Sequence, residues 1–404
     1  MDNRTSKNRQ WSVIGLALLL GVFSTLGPFT IDMYLPAFPR IAADFNANAS
    51  LVQFSLTACL LGLGIGQLVV GPLSDAYGRR RPLLIAMIGY VVFSLACAYS
   101  PNIGMLIFFR FAQGFAASAG IVISRAIARD LYSGHELTRF FSLLLLVSNL
   151  GPLAAPIAGS GVLTFTAWPG VFVSLAILGV FLYLMTQLRL KETHPLEQRV
   201  SPNFKSQLRS YGLMLRNRKF VGYMLAQGIL TGGVFAYVAA TPFIYQNIYG
   251  VSPAMFSVLF ASNGISLIIG SQIVGRISHR VPEQKLMVIG LWMAVLSSIV
   301  VVGVTIVEGP LFALVVPLFV FVCSISITST AAFPLAMESQ SKNAGSAAAL
   351  LGLVPFVLGG LVAPMVGIAG EDTAVPLGLT LMVTSLIALL TYFMLVRKAE
   401  QAQR

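Results

Sequence analysis

The chain has 404 residues, of which 56% are hydrophobic and only 10% charged. Soluble domains carry roughly 25% charged residues, so a water-facing surface cannot be assembled from this composition and lipid must be the solvent for most of it. The formal charge of +12 would suit an anionic partner such as nucleic acid, but the placement of the Lys and Arg residues described below assigns it to membrane topology instead.

In chain order, a basic N-terminus (Arg4, Lys7, Arg9) precedes an apolar run from Ser12 to Pro36. That run is too long for a secretory h-region and lacks a small-x-small cleavage site, so it reads as an uncleaved first transmembrane helix. Crossing the hydrocarbon core takes roughly 20 apolar residues. Candidate spans fall at 12–36, 51–73, 82–99, 103–127, 138–163 and 168–189. A second set falls at 218–245, 253–275, 284–306, 310–334, 343–368 and 375–396. The expectation is an all-α membrane protein in two six-helix halves, 1–189 and 218–404, joined by a linker at 190–217. The linker is rich in Arg and Lys and predicts a short amphipathic helix on the membrane surface, with Phe204, Leu208, Tyr211 and Leu215 on one face.

With the N-terminus in the cytoplasm, the inward turns contain Arg79–Arg81, Arg129, Arg139, the linker cluster, Arg276, Arg280, Lys285 and Lys342. Of the 26 Lys and Arg residues, only Arg40 lies on an outward loop and only Arg110 lies deep within a span; the others lie in the inward turns, at the inner ends of the spans or in the termini. This asymmetry places both termini in the cytoplasm, predicts a bacterial inner-membrane location, and removes the case for nucleic-acid binding.

Several functions are excluded by what is missing. Cys59, Cys97 and Cys323 each lie in an apolar stretch without a pairing pattern, and read as small buried hydrophobes. His135, His194 and His279 are scattered among polar loops, so neither a metal site nor any cofactor is expected. No Lys follows a Gly, which rules out a GxxxxGK[ST] phosphate loop. There is no TVGYG filter and no HExxH or GxSxG motif. A monomeric bundle with 37 Gly and 20 Pro remains, in which two halves rock around a midplane site. That layout is a secondary transporter, not an enzyme.

Asp32 is the only carboxylate within a predicted span. An Asp at the bilayer centre costs roughly 2.5–3.5 kcal/mol and usually faces the bundle interior, which suggests proton coupling. The alternatives are a structural ion pair or a position near the interface, since Pro36 follows closely. Arg110 lies at a comparable depth in the fourth span, counting 1.5 Å per residue. The two are expected to meet or to compete for one proton, because burial and a neighbouring cation act oppositely on a carboxylate. Gln113, Asn149, Gln227 and Asn263 are candidates to line the cavity, with Phe29, Tyr34 and Tyr237 as an aromatic wall for an amphipathic ligand. Each can equally be helix packing.

The turn after the second span reads Gly71-Pro72-Leu73-Ser74-Asp75-Ala76-Tyr77-Gly78-Arg79-Arg80-Arg81. Gly71 would permit close helix contact and Gly78 a tight turn. The pattern resembles the GxLaDrxGrkxxl signature of the major facilitator superfamily, and Arg110-Phe111-Ala112-Gln113-Gly114 resembles that superfamily's RxxQG segment. Gly151-Pro152-Leu153-Ala154-Ala155-Pro156-Ile157-Ala158-Gly159 resembles its GPxxGG antiporter motif, with alanines where the glycine pair is expected and two prolines that should bend the helix. Ile31-Asp32-Met33-Tyr34-Leu35-Pro36-Ala37, Arg129-Asp130-Leu131-Tyr132 and Lys191-Glu192-Thr193 are similar to segments of the bicyclomycin-resistance (Bcr/CflA) subfamily of drug:proton antiporters. The resemblance covers the first half well and the second mainly in span count and spacing. It implies export of small amphipathic drugs in exchange for protons. It also implies that Asp75 and Asp130 join Arg79, Arg80 and Arg129 in a latch that stabilises the outward-facing state. The alternative within the same fold is a metabolite permease, such as an amino-acid exporter or symporter.

Overall fold

The computed structural model describes residues 13–199, 211–338, 344–367 and 373–397, together with Arg209 and Gln340. It is helical, and twelve of its helices are long and apolar enough to cross a membrane. We label them α1 (Val13–Asp32), α2 (Ala49–Tyr77), α3 (Arg80–Ala98), α4 (Ile103–Leu131), α5 (Gly134–Leu163) and α6 (Pro169–Arg189). The remaining six are α7 (Arg218–Phe243), α8 (Pro253–Ile277), α9 (Glu283–Ile306), α10 (Leu311–Glu338), α11 (Ala344–Val362) and α12 (Val375–Thr391). An even number of crossings puts both ends of the bundle's chain on one face, which also carries the α2–α3 turn.

Polar residues at the turns start several of the helices. The Asn48 side chain accepts from Leu51 N at 2.9 Å, Asn102 from Met105 N at 2.9 Å, and Ser252 from Met255 N at 3.2 Å. These caps satisfy amide donors that have no partner within the helix. Inside the spans, Ser and Thr hydroxyls donate back to carbonyls of the preceding turn, as Ser24 does to Leu20 and Thr30 to Leu26. Polar side chains are thereby satisfied without water. Large apolar side chains on the outer surface, such as Ile85, Leu188 and Phe312, are exposed, as a lipid-facing surface requires.

The helices pair as α2 with α4, α1 with α5, and α3 with α4 and α6, and likewise α8 with α10, α7 with α11 and α12, and α9 with α10 and α12. The first six meet the last six chiefly through α2 against α11 and α5 against α8. Three glycines of α2 divide this work. Gly62 lies against the Phe111 carbonyl and Gly66 against Ser118, both in α4, while Gly64 faces Leu353 and Phe356 of α11. A Cβ at Gly62 would collide with α4 backbone, so the α2–α4 approach depends on small residues four apart. Gly270 of α8 sits against the Cys323 carbonyl and Ser326 of α10, repeating the Gly66–Ser118 contact in the last six helices. At the face away from the termini, Gln53 Nε2 of α2 donates to the Ala239 carbonyl of α7 at 3.2 Å, and the Phe38 and Phe243 rings lie 5.8 Å apart.

Two expectations need correction. The first span does not end at Pro36: after a break at Met33 and Tyr34, a 3-10 turn (Leu35–Ala37) and a short helix (Phe38–Asp44) continue it. Gly71 is not a close-approach glycine, since a Cβ there would find Val122 at an ordinary 3.8 Å. Pro152 and Pro156 both lie inside α5, as the sequence places them, and neither ends the helix, which runs from Gly134 to Leu163. In the linker, Phe204 and Leu208 lie outside the described residues; Tyr211 is half-buried, Met214 buried and Leu215 exposed.

Candidate functional site

Asp32 is the last residue of α1, where the helix breaks before Met33. Because the chain continues helically to Asp44, Asp32 lies well inside the span; it is 6% exposed. It has no hydrogen bond or ion pair among the described residues. It lies within electrostatic reach of Cys59 on α2 and Tyr237 on α7, and so between the two sets of helices. The antiporter-like segment of α5 is its neighbour along α1. Gly151 packs on Pro28, and Gly159 lies against the Met33 carbonyl.

Arg110 does not pair with Asp32, contrary to the sequence expectation. Its Nη1 donates to Gln113 Oε1 at 2.6 Å and its Nη2 to the Thr30 carbonyl at 2.8 Å. The guanidinium lies 4.0 Å from the Tyr34 ring centroid and 5.6 Å from that of Phe172. Gln113 Nε2 in turn donates to Ser94 Oγ at 2.8 Å, and Tyr34 OH lies 3.2 Å from Ser55 Oγ. Arg110, Gln113 and Tyr34 are all fully buried. They form a polar cluster that ties α1, α2, α3 and α4 together near Asp32, in which Arg110 Nε alone is left buried without a partner. Gln113 and Tyr34 are therefore not walls of an open cavity, because their polar atoms are already used. Cation–π contact and two hydrogen bonds are what make a buried guanidinium tolerable.

The remaining ligand-binding candidates are spread over α1, α5, α7 and α8. Asn263 Nδ2 of α8 donates to Tyr237 OH of α7 at 2.6 Å, and Tyr237 stacks on Phe260 with centroids 5.6 Å apart. Asn263 Oδ1 is buried with no partner, as are Gln227 Oε1 on α7, Ser124 Oγ on α4, and Gln53 Oε1 and Thr57 Oγ1 on α2. An unpartnered buried polar group costs about 1–3 kcal/mol, so these atoms mark where water or a ligand belongs. Phe29 is half-buried on α1, and Asn149 is exposed on α5.

One residue passed over in the sequence is Arg125, which had been counted with the cytoplasmic turns. It lies inside α4, one turn beyond Ile121, whose side chain reaches Gly27 of α1. It is exposed and has no hydrogen bond or ion pair among the described residues. The sequence signal was present: Arg125 already falls inside the predicted span 103–127, two residues from its end, and α4 runs four residues beyond that end.

The α2–α3 turn is a second constellation. Gly78 has φ +86, a conformation open to glycine at little cost. Arg79 turns back under it. Nε donates to Asp130 Oδ2 at 2.9 Å, Nη2 to Asp130 Oδ1 at 3.2 Å, and Nη1 to Ser74 Oγ and to Asp75. Burial opposes the guanidinium charge, but Asp130 and Asp75 outweigh it and raise the Arg79 pKa. Arg80 bonds to the Gln187 carbonyl on α6 at 2.8 Å. Arg129 is exposed and stands outside this network. Glu192, which the sequence offered only as part of a resemblance, completes it: Oε1 accepts from Arg79 N at 2.7 Å and Oε2 from Arg80 N at 3.2 Å. A carboxylate at the first amides of α3 is the favourable sign for a helix N-terminus. Thr193 Oγ1 donates to Asp130 at 3.0 Å, so the start of the linker is bound to the turn.

The chain matches the model described as Major Facilitator Superfamily over residues 8–364. It is 49% identical over 400 residues to the uncharacterized MFS-type transporter YdgK of Bacillus subtilis (strain 168), covering 98% of each chain. It is 31% identical over 388 residues to a bicyclomycin resistance protein homolog of Haemophilus influenzae, covering 96% of this chain and 98% of that one. Its fold matches the crystal structure of a D-xylose-proton symporter with a TM-score of 0.75 at 15% identity, over 93% of this chain and 96% of that one. With twelve apolar helices, a paired-helix arrangement and a glycine turn locked by Arg79, the chain belongs to the Major Facilitator Superfamily and is a multi-pass membrane transporter, not an enzyme.

Proposed function

We propose that this protein is a secondary active exporter that exchanges small amphipathic antibiotics for protons by alternating access. One observation carries the reading. Asp32 is a buried carboxylate without a partner among the described residues, at a helix break between the two sets of helices. A carboxylate that no cation neutralises can exist there as the protonated acid and release its proton when the site opens to the other side. The unpartnered polar atoms of Gln227, Asn263 and Thr57 and the half-buried Phe29 supply mixed polar and apolar walls of the kind an amphipathic solute needs. The relative named for bicyclomycin resistance supports the substrate class.

In this reading the two halves, 1–189 and 218–404, rock as units joined by the 190–217 linker. Arg110 fixes α1 against α4, and the chain works as a monomer in the bacterial inner membrane with both termini cytoplasmic. One charge moving through 100 mV supplies about 2.3 kcal/mol, enough for roughly fiftyfold accumulation of a neutral solute exchanged for one proton. Arg125, a cation inside α4 with no partner among the described residues, favours a second reading: export of an acidic metabolite.

The test uses inverted vesicles with a proton gradient and a pH-reporting dye. Chloramphenicol, bicyclomycin and ethidium are added in turn to wild type and Asp32→Asn. Collapse of the gradient by a drug in wild type, lost in Asp32→Asn with the protein present at equal level, is the expected result. Proton movement with no drug, but with organic acids, would replace the drug reading by the metabolite one.

A further inference from the structure

The three arginines of the α2–α3 turn have different fates. Arg79 is held by Asp75 and Asp130, and Arg80 bonds to Gln187. Arg81 is exposed and has no hydrogen bond or ion pair among the described residues. It stands, with Tyr77, at one end of a groove of about 430 Å³ between α2, α3 and α4. Apart from this end the groove is apolar, walled by Leu73, Ile85, Ala86, Gly89, Phe93 and Phe115 among others. The space exists because Ala86 and Gly89 of α3 face Ala112 and Ala116 of α4, four small residues where larger ones would close the seam. From Arg81 to Phe93 the groove runs along about 18 Å of helix at 1.5 Å per residue, close to the ~15 Å depth of one leaflet's hydrocarbon.

We propose that this groove binds one anionic phospholipid of the leaflet that contacts the α2–α3 turn, with its phosphate on Arg81 and an acyl chain along α3. The charge argument selects the occupant. A guanidinium that no carboxylate of the described residues neutralises, at the mouth of a chain-shaped apolar groove, complements a headgroup phosphate directly above its own acyl chain. A neutral amphipathic solute or a second copy of the protein would leave that cation unused. The site is separate from Asp32 and does not depend on which solute is transported.

The test is native mass spectrometry of the detergent-purified full chain after exchange into equal amounts of phosphatidylglycerol and phosphatidylcholine with matched acyl chains. Wild type should retain one phosphatidylglycerol in preference to phosphatidylcholine. Arg81→Gln should lower that preference about fivefold, the loss expected for one basic residue at the membrane surface. Gly89→Leu should abolish retention of this lipid. A Cβ there meets Ala116 and Phe93 only at 3.8 and 3.9 Å, so the longer side chain enters the groove and not the backbone of α4. Arg276→Gln, at the exposed inner end of α8, should change nothing. Thermal melting with and without phosphatidylglycerol gives a second readout: it should stabilise wild type and not Gly89→Leu. Equal retention of the two lipids by wild type would overturn the proposal, as would an Arg276→Gln effect equal to that of Arg81→Gln, or lipid retained by a folded Gly89→Leu protein.

Discussion

Asp130→Asn perturbs the α2–α3 turn with little change of shape. The Asp130 carboxylate receives two bonds from Arg79, at 2.9 and 3.2 Å, and one from Thr193 at 3.0 Å. The ion-paired side chains are only 7% and 14% exposed, so solvent screening is weak. An Asn keeps one acceptor and loses the charge. Hydrogen bonds to charged groups contribute about 1.5–3 kcal/mol, and a loss of about 2 kcal/mol corresponds to roughly thirtyfold in an equilibrium constant. The network lies within the first six helices and the start of the linker. It can bias alternating access only if it is rearranged in the other state, because an interaction equally strong in both states shifts no population. The assay is a distance distribution between spin labels at Arg139→Cys on α5 and Arg280→Cys after α8, both exposed. The three native cysteines are buried and should not label. A latch predicts a redistribution of about thirtyfold between short and long distances. A lower melting temperature with unchanged populations would refute the latch and leave the network as cement for the turn.

Two further outcomes follow from the same geometry. Glu192→Gln keeps one acceptor, at Arg79 N, but loses the one at Arg80 N, the charge at the start of α3 and the 3.7 Å pair with Arg199. It should cost about 1–2 kcal/mol, read as a fall in melting temperature, with protease cleavage of the linker accelerated. Gly114→Val places a side chain against the Cys59 carbonyl of α2. Backbone cannot yield as a side chain does, so at least the 1–3 kcal/mol of an overpacked core is expected, measured as lost folded protein in detergent. Gly161→Val, with open space around it, should remain folded.

Span count, fold class and the turn signature were legible in the sequence because each is a local property. A run of apolar residues of sufficient length has one stable solution in lipid, and a glycine before three arginines is visible without knowing its neighbours. Gly78 with φ +86 and Arg79 bonded to Asp75 are short-range consequences of that text. The role of Glu192 was not legible, since it lies more than a hundred residues from the amides it caps. Arg125 was hidden for a different reason. Two residues from the predicted end of its span, its charge reads with the adjoining turn until α4 is seen to run on to Leu131.

The sequence alone determined that this protein has twelve spans with most of its basic residues in the turns of one side, because burial of apolar length and the cost of charge in lipid act residue by residue. Which polar residues meet was decided only by the tertiary structure. Asp32 and Arg110 lie at similar depth, yet Arg110 turns to Thr30, Gln113 and the Tyr34 ring and leaves Asp32 unpaired. Depth follows from counting along one helix. Pairing depends on the rotation of each helix about its axis, which is set by glycine contacts such as Gly62 on Phe111 and Gly159 on Met33 between segments far apart in the chain.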